Sequence, residues 1–321
     1  KDIPLDSLFT ERPWSALRRD YFSIIVYPFA VGLGFLMPLD LLLSCVLFFF
    51  FYKAQYVIGS LIGMDNVPGY PYQYEQNIGA YTGACVIALW GTRRQIWHAF
   101  QGAIGRERAE DEREPMRYRT AFLGILLGGI FLIGFAMRGG MALWIAVLFL
   151  AAHFTIAITL TRIRAEIGFP IHSTTFIGPH HSLVSLLGTR RIGTQNLTWF
   201  ALFFWFNRDN RSHPMPHQLE AFKLAERGHL DVKGLSRLML ALIVVAMPLC
   251  ILMLLDTFFK LGVDSGKVGG QINSFGGRAY NFLQSWLTSP QDANTAHIIA
   301  MTVGFVFTLL LAAIRSRLFW W

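Results

Sequence analysis

Long apolar segments alternate with short charged ones along the chain. Apolar runs cover residues 22–37, 41–62, 78–92, 120–137, 141–161, 238–256 and 297–314. A helix needs about 20 mostly apolar residues to cross the hydrocarbon of a bilayer, and most of these runs approach or reach that length. The pattern therefore predicts an all-α fold: a polytopic transmembrane helical bundle of roughly six to eight membrane segments.

Two parts of this pattern are interrupted. Pro38-Leu39-Asp40 separates the first two runs, and a proline removes a helix donor and frees nearby backbone groups for other partners. Whether 22–37 spans or re-enters the membrane stays open. Residues 173–206 mix polar, glycine-rich backbone with apolar stretches too short to cross. We therefore expect broken or re-entrant elements near 38–40 and 173–206. In the second region, the alternatives are a re-entrant pair at roughly 180–188 and 195–206, or a cytoplasmic loop with an interfacial aromatic helix.

Composition and charge support a membrane protein. Hydrophobic residues make up 54% of the 321 residues and charged residues only 15%, whereas about a quarter of a soluble domain is charged. The net charge of +8 does not indicate a nucleic-acid partner, because the basic residues lie at the ends of apolar runs, as membrane orientation requires. The loop 92–118 holds six arginines, which predicts that it is cytoplasmic and that the protein lies in the inner (cytoplasmic) membrane.

The chain is expected to form one integral membrane domain over residues 1–321. It begins with Lys1 rather than Met and ends just after an apolar run. We therefore expect a fragment of a longer, transporter-like protein.

Charged residues in or beside apolar runs are the first candidates for a functional site. Asp40 and Lys53 lie where a charge costs at least about 2.5 kcal/mol to insert, and broken helices with such charges form solute and ion sites in secondary transporters. The alternatives are that Asp40 caps the helix starting at Leu41 and that Lys53 extends to the membrane surface. Glu75, in the tyrosine-rich loop 64–77, is a candidate for a cavity mouth or part of an interfacial aromatic belt.

A second charged cluster continues the fifth apolar run, which also contains His153. Arg162 and Glu166 lie four residues apart and share a helix face, whereas Arg164 points elsewhere. A guanidinium can bind a carboxylate through two hydrogen bonds, so Arg162 or Arg164 would hold a substrate carboxylate. Glu166 or Asp40 would take a coupling proton, which burial of the carboxyl favours. The alternative is a cytoplasmic helix end anchored by arginines.

Histidines are concentrated in one part of the chain, with five of nine between His172 and His217. His213-Pro-Met-Pro-His217 has the spacing of membrane di-iron enzymes, but the prolines are expected to prevent the helix that would bring both rings to one face. A metal site is therefore only a weak alternative, built from His180, His181, His213 and His217. No cofactor is predicted.

Four stretches together resemble a known family. They are Phe35-Leu-Met-Pro-Leu-Asp40 with the residues to Ser44, Pro71-Tyr-Gln-Tyr-Glu75 with the residues to Tyr81, Arg162-Ile-Arg-Ala-Glu166, and the segment 205–227, which starts Trp205-Phe-Asn-Arg-Asp-Asn210. They resemble an uncharacterised family of large bacterial multi-span proteins over nearly the whole chain. That family is in turn distantly similar to the oligopeptide-transporter superfamily, which moves peptides or metal chelates with protons. The resemblance implies a transporter-like bundle and assigns no functional residues.

Three functions are consistent with these features. The main prediction is a secondary transporter without enzymatic activity, which moves a small polar solute, perhaps peptide-like and proton-coupled, through a lipid bilayer. Its site would lie among Asp40, Lys53, Glu75, His153, Arg162, Arg164 and Glu166. The alternatives are a membrane-embedded enzyme that uses the His/Arg-rich segment 162–217, and a structural membrane subunit. The oligomeric state stays open.

Overall fold

The computed structural model describes residues 2–20, 22–106, 111–112, 114–168, 177–207, 210, 213–262, 267 and 271–317. The chain divides into two compact units. Lys1–Gln76 with Leu310–Trp321 forms unit 1, and Asn77–Leu309 forms unit 2.

Unit 1 combines short N-terminal elements with one long helix. Strands β1 (Asp2–Pro4) and β2 (Ser23–Ile25) pair in antiparallel register, and 3₁₀ turns lie at Asp6–Leu8, Trp14–Arg19 and Met64–Asn66. Helices α1 (Pro28–Leu36) and α2 (Leu39–Leu61) follow the strands, and α3 (Gln73–Ile104) begins in this unit. The run 22–37 is thus not a single spanning helix, because α1 has only nine residues, or about 14 Å at 1.5 Å per residue.

Unit 2 contains most of the helices. Their bounds are α4 (Tyr118–Arg138), α5 (Leu143–Ile167), α6 (Pro179–Leu187), α7 (Thr189–Ile192), α8 (Thr194–Leu202), α9 (Phe204–Asn207), α10 (Pro214–Arg227), α11 (Val232–Leu261), α12 (Gln271–Thr288) and α13 (Thr295–Arg315), the last of which ends in unit 1. The core of the unit lies where α4 and α5 meet α6, α7 and α8, and it is centred on the buried side chains of Ile145, Phe149 and Phe200.

Five helices of the described chain are long and apolar enough to cross a membrane, namely α2, α4, α5, α11 and α13. Most of their apolar side chains face outward, and none of the most apolar part of α11 is buried. An outer surface made of apolar side chains is expected to face the lipid of a membrane and not water. The predicted all-α, multi-pass membrane architecture is therefore confirmed.

Two segments predicted as loops are helical instead. α3 begins at Gln73, inside the expected loop 64–77, and continues to Ile104, inside the expected loop 92–118. The first turn carries Glu75, whose charge favours a helix start. The polar residues after the apolar run include good helix formers such as Gln and Arg, and the helix ends only before Gly105, which has a positive φ of 81°.

Candidate functional site

Several polar side chains of α5 pack against protein. Thr159 is buried and its hydroxyl donates to the backbone oxygen of Tyr81 at 2.7 Å. Arg164 is also buried, and the His153 ring lies 5.4 Å from that of Phe206. His153 is ten residues after the start of α5 and fourteen before its end, so it marks the middle of this span.

The chain that follows α5 returns along it as a hairpin of short helices. At the tip of this hairpin, the Asn196 side chain accepts a hydrogen bond of 2.8 Å from the Ala142 backbone N–H, at the joint between α4 and α5. From there α8 and α9 run back, so that Phe206 reaches His153 in the middle of α5. α6 packs beside them, with Leu183 in the same core. We call α6 to α9, residues 179–207, the return hairpin.

Glycines break the return hairpin into short helices. Gly188 and Gly193 have positive φ values of 76° and 81°, which only glycine adopts without strain. Each lies between two helices and ends the one before it. The described residues of the region 173–206 form the short helices α6, α7, α8 and part of α9. The expected broken elements are thus present, while the choice between a re-entrant pair and a cytoplasmic loop with an interfacial helix stays a prediction.

Two deeply buried polar side chains meet where α6 begins and α9 ends. His180 is 2% exposed and Asn207 0% exposed. Among the described residues, neither ring nitrogen of His180 and neither amide atom of Asn207 has a partner at full hydrogen-bond geometry, although the Asn207 amide is close enough to the His180 ring to interact weakly with it. The N-cap of α6 is Gly178, which has no side chain to accept from the first turn. We call Gly178, His180 and Asn207 the α6 polar site.

The geometry of the α6 polar site depends on Gly178 being a glycine. A Cβ atom at this position would lie 2.6 Å from Cε1 and 2.8 Å from Nδ1 of His180, and 3.2 Å from the backbone oxygen of Asn207. The imidazole therefore folds back over the start of its own helix. Its Nδ1 and the backbone oxygen of Asn207 converge on the helix N-terminus.

Aromatic rings close the α6 polar site. The His180 ring lies 4.3 Å from that of His181, 5.3 Å from Phe204 and 6.5 Å from Trp286 of α12. His181 in turn contacts Phe282 of α12 at 5.1 Å. No charged side chain of the described chain is among these contacts, so the site is a polar patch enclosed by weakly polar rings.

Burial keeps both histidines of α6 neutral. Loss of hydration lowers the pKa of His180, and its neighbour His181 lowers it further, while the Asn207 amide weakly opposes both effects. Burial also lowers the pKa of His181, to about 4. A neutral imidazole has one donor and one acceptor nitrogen, so His180 can either donate or accept a hydrogen bond.

The charged cluster at the end of α5 separates into two ion pairs. Arg162 and Glu166 form the expected pair, at 2.6 Å, but both side chains are exposed, at 56% and 46%. Arg164 points elsewhere, as predicted, and binds both carboxylate oxygens of Glu220 of α10, with Nη2–Oε2 at 2.9 Å. The two-pronged carboxylate contact expected for a substrate is thus made to the protein itself.

The histidines form two separate pairs. His180 and His181 are adjacent on α6, while the His213 ring lies 5.9 Å from that of His153. The prolines were expected to prevent a helix that brings the rings of His213 and His217 to one face, and His213 indeed lies just outside the helix that contains His217. His213 is the N-cap of α10, and Pro214 and Pro216 lie in its first turn, where a proline costs no hydrogen bond. In the described part of the chain, no three His, Cys, Asp or Glu side chains come together as a metal site requires.

In unit 1, Lys53 forms part of a hydrogen-bonded network. Its side chain is 5% exposed, and its amine lies 2.7 Å from Oδ2 of Asp20. It is also 5.4 Å and 5.7 Å from the ring centres of Phe22 and Phe49. A charge within a span is tolerated when it is paired in this way. Lys53 does not extend freely to the membrane surface.

Neutral polar groups extend this network. The Tyr52 hydroxyl is hydrogen-bonded to that of Tyr56 and donates to Oε1 of Gln73, both at 2.8 Å. Gln76 donates to Oε1 of Gln55, also at 2.8 Å. These contacts connect α2 to the first turn of α3. We call Asp20, Tyr52, Lys53, Gln55, Tyr56, Gln73 and Gln76 the unit 1 network.

The other two candidates of unit 1 occupy different surroundings. Glu75 is buried, at 8% exposed, between Gln73 and Gln76 in the first turn of α3. Asp40 is exposed in the first turn of α2, which starts directly after Pro38. Its position agrees with the alternative of a residue at a helix start, where a negative charge interacts favourably with the helix dipole.

Sequence reasoning missed Asp20, Asn207 and Glu220. Asp20 and Glu220 lie in polar segments, where acids are common, and their partners are 33 and 56 residues away. Asn207 follows an aromatic run and carries no charge to mark it. The available signal was Gly178-Pro179, which predicts a helix start directly before His180.

The comparisons with known proteins give a family but no activity. A model of a family of unknown function, DUF6785, matches residues 2–321. No curated protein and no solved structure matches the chain. The expected membership in an uncharacterised family is confirmed, while the distant likeness to the oligopeptide-transporter superfamily stays a prediction.

Proposed function

The chain belongs to this family of unknown function, and we propose that it is a secondary transporter that moves a polar solute across the membrane. The observation that carries the proposal is the α6 polar site. His180 and Asn207 are buried without partners and lie at a helix break, level with the middle of the candidate span α5. A buried polar group without a partner costs about 1–3 kcal/mol, a cost that a bound solute would offset.

Broken helices near the middle of the membrane are the usual place for a transport site. The return hairpin starts beyond the end of α5 at Ile167, reaches the α4–α5 joint and comes back to His153. Irregular backbone at this depth is tolerated only where protein or a wet cavity surrounds it. The hairpin thus supplies polar groups that a continuous span could not.

A cavity elsewhere in the described part of unit 2 does not fit a polar solute. A cleft of about 280 Å³ is bounded by α4, α5 and α9. It is lined by Leu132, Phe135, Ala136, Met141, Ala146, Phe149, Leu150, Phe203, Trp205 and Phe206. None of these has a charged or amide side chain, so polar solutes have no partner there.

The predicted site residues divide between two roles in this proposal. Lys53 and Arg164 already bind carboxylates of the protein, and we assign them to holding α2 and α10 in place. We propose that the solute contacts the α6 polar site instead, with His153 nearby at the same depth. A peptide-like solute and a coupling proton, taken by Asp40 or Glu166, stay predictions from the sequence.

Orientation in the inner membrane is part of the proposal. The basic residues of 92–118 support a cytoplasmic α3–α4 connection, and in this orientation the end of α5 lies on the same side. Cysteines introduced at the exposed positions Arg117 and Arg138, in a background without Cys45, Cys85 and Cys250, would be labelled from opposite sides. Labelling of both from one side would contradict the orientation.

The direct test is uptake into vesicles that contain the purified protein. With an imposed pH gradient, we expect accumulation of at least one labelled member of a panel of monocarboxylates, amino acids and dipeptides. Asn207→Leu should abolish this uptake, because it removes the polar lining. Lys260→Met changes an exposed ion pair with Asp256 and should leave uptake unchanged. Equal uptake by protein-free vesicles, or full uptake by Asn207→Leu, would contradict the proposal.

The enzyme alternative gains no support from the arrangement of the segment 162–217. Arg162 and Arg164 are in ion pairs, His180 lies beside His181, and His213 lies beside His153 of α5. An exposed Arg–Glu pair at Arg162 and Glu166 agrees equally with the structural-subunit alternative. We retain transport because neither alternative explains the unpaired groups of the α6 polar site.

A further inference from the structure

We infer that the α6 polar site binds a small monovalent anion, such as a carboxylate or a halide, at the N-terminus of α6. This inference deepens the proposed function by naming the chemical class of the solute, and it rests on that proposal for its role in transport. Binding itself is a separate property that can be measured without vesicles.

The first argument is the number of donors that converge. A helix N-terminus has backbone N–H groups without partners inside the helix and a partial positive charge. α6 has nine residues and an N-cap, Gly178, whose missing side chain provides no acceptor. The buried His180 ring and Asn207 amide add side-chain donors at the same place. Donors of this kind are what an anion requires.

The second argument is the absence of competing charge. The groups around His180 in the described chain are the rings of His181, Phe204 and Trp286, together with Asn207. The core of α5 faces α6 with Ile145 and Phe149. None of these is acidic, so no formal negative charge repels an anion and none balances a bound cation; the backbone oxygen of Asn207 is the one acceptor that we identify there in the described chain. A small ligand is implied because His180 and Asn207 are almost fully buried.

The third argument concerns the proton. Burial keeps the His180 imidazole neutral when the site is empty, and its neighbour His181 adds to this effect by lowering its pKa. An anion in contact with the ring favours the protonated imidazolium over the neutral imidazole, because the two opposite charges attract each other. The imidazole then takes a proton from solvent as the anion enters. Anion and proton bind together as a neutral pair, which is the form that a low-dielectric site tolerates.

The test is an anion titration of the purified protein in detergent. Acetate and chloride are titrated separately at constant ionic strength against sodium sulfate, and the thermal unfolding temperature is recorded at each pH from 8 to 6. We expect a saturable rise with acetate or chloride, whichever fits the site, since a ligand that binds only the folded state stabilises it. The affinity of the protein for the anion should rise by up to about tenfold for each unit by which the pH falls.

Variants assign the effect to the site. Asn207→Asp keeps the size of the side chain and adds a negative charge, so it should abolish the saturable rise. His180→Gln should keep weaker binding and lose the dependence on pH. His229→Gln changes an exposed histidine and should leave both unchanged.

Two results would overturn the inference. One is no saturable effect of acetate or chloride on the unaltered protein, which does not depend on any variant folding. The other is an equal effect in Asn207→Asp, or an effect of sulfate and phosphate alone, which would indicate an adventitious ion only. Binding without vesicle uptake would refute the transport proposal but keep the site. Uptake that Asn207→Asp leaves intact would refute the site but keep transport.

Discussion

Two groups of buried polar residues, one in each unit, differ in whether the protein satisfies their hydrogen bonds. In unit 1, buried Lys53 is paired with Asp20 at 2.7 Å, and the Tyr52 hydroxyl has two partners at 2.8 Å. In unit 2, His180 and Asn207 are at least as buried and have no hydrogen-bond partner in the described chain. Buried polar groups in a membrane protein can thus either stabilise the fold or bind a ligand.

A satisfied network makes a fold rigid, because removing one member leaves the others unpaired at low dielectric. An unsatisfied group weakens the fold unless something from outside completes it. The charged residues that first attract attention in the sequence, such as Lys53 and Arg164, therefore contribute to stability, whereas uncharged Asn207 is the stronger candidate for binding. The following experiments test this difference, beginning with the largest expected effect.

Asp20→Asn should destabilise unit 1 most. It leaves the Lys53 amine buried without its counter-charge, which costs about 3 kcal/mol, towards the lower end of the range because Asp20 itself is 39% exposed. Equilibrium unfolding in mixed detergent micelles measures the loss. Asp256→Asn breaks an exposed pair with Lys260 and should cost less than about 0.5 kcal/mol. Equal losses would show that the Lys53 pair is not structural.

Acid should destabilise unit 2 through its neutral histidines. His181 has a pKa of about 4 in the folded protein and 6.5 as a model value, so below pH 6.5 the unfolded chain binds more protons. The free energy of unfolding is therefore not reduced by His181 above pH 6.5, and it falls as the pH drops towards 4. The loss at pH 5 is about 2 kcal/mol. Unfolding should be measured in sulfate buffer, without the small anions that would protonate His180.

His181→Gln should flatten this pH dependence, because it removes a group that protonates on unfolding. His229→Gln, at an exposed position, should leave it unchanged. A pH profile that is the same for all three proteins would contradict the assignment to His181.

Tyr52→Phe should have an intermediate effect. It removes the hydroxyl that joins Tyr56 and Gln73 and leaves both with one partner fewer, at a cost of about 1 kcal/mol. Tyr27→Phe is the matched control, because Tyr27 is 61% exposed. If both substitutions have no effect on unfolding, the unit 1 network does not hold α2 to α3.

Asn207→Leu should cost no stability. It replaces an unpaired buried amide with an apolar side chain of similar size, which is neutral or stabilising when no hydrogen bond is lost. We expect a change between zero and a gain of about 1 kcal/mol in sulfate buffer, together with loss of the anion effect. A loss comparable to that of Asp20→Asn would mean that Asn207 is part of a satisfied network and would remove the contrast between the unit 1 network and the α6 polar site.

The long spans could be predicted from the sequence, because burial in lipid requires uninterrupted apolar runs. The runs 120–137 and 141–161 correspond closely to α4 and α5. The short helices could not be placed in this way, since their apolar residues face protein on only one side. Gly188 and Gly193 end helices there, whereas in the sequence they resemble loop residues.

The site depends on contacts between residues distant in sequence. The Arg162–Glu166 pair was predictable from its spacing on one helix. The partner of Arg164 was not, because 56 residues separate it from Glu220. The lack of hydrogen-bond partners at His180 and Asn207 results from tertiary packing. It could not be predicted from the residues next to either one in the sequence.

The return hairpin also has a consequence for how the protein is assembled in the membrane. α6 and α8 have nine residues each, about half the length that inserts as an independent span. Their apolar side chains, such as Leu183 and Phe200, are buried against Phe149 of α5. In the proposed arrangement the hairpin therefore enters the bilayer only against protein, and α5, which precedes it in the chain, is available first. The rest of that surface comes from α12, which contacts His180 and His181 through Trp286 and Phe282. Because α12 is synthesised later, the hairpin completes its packing only after α12 has been added.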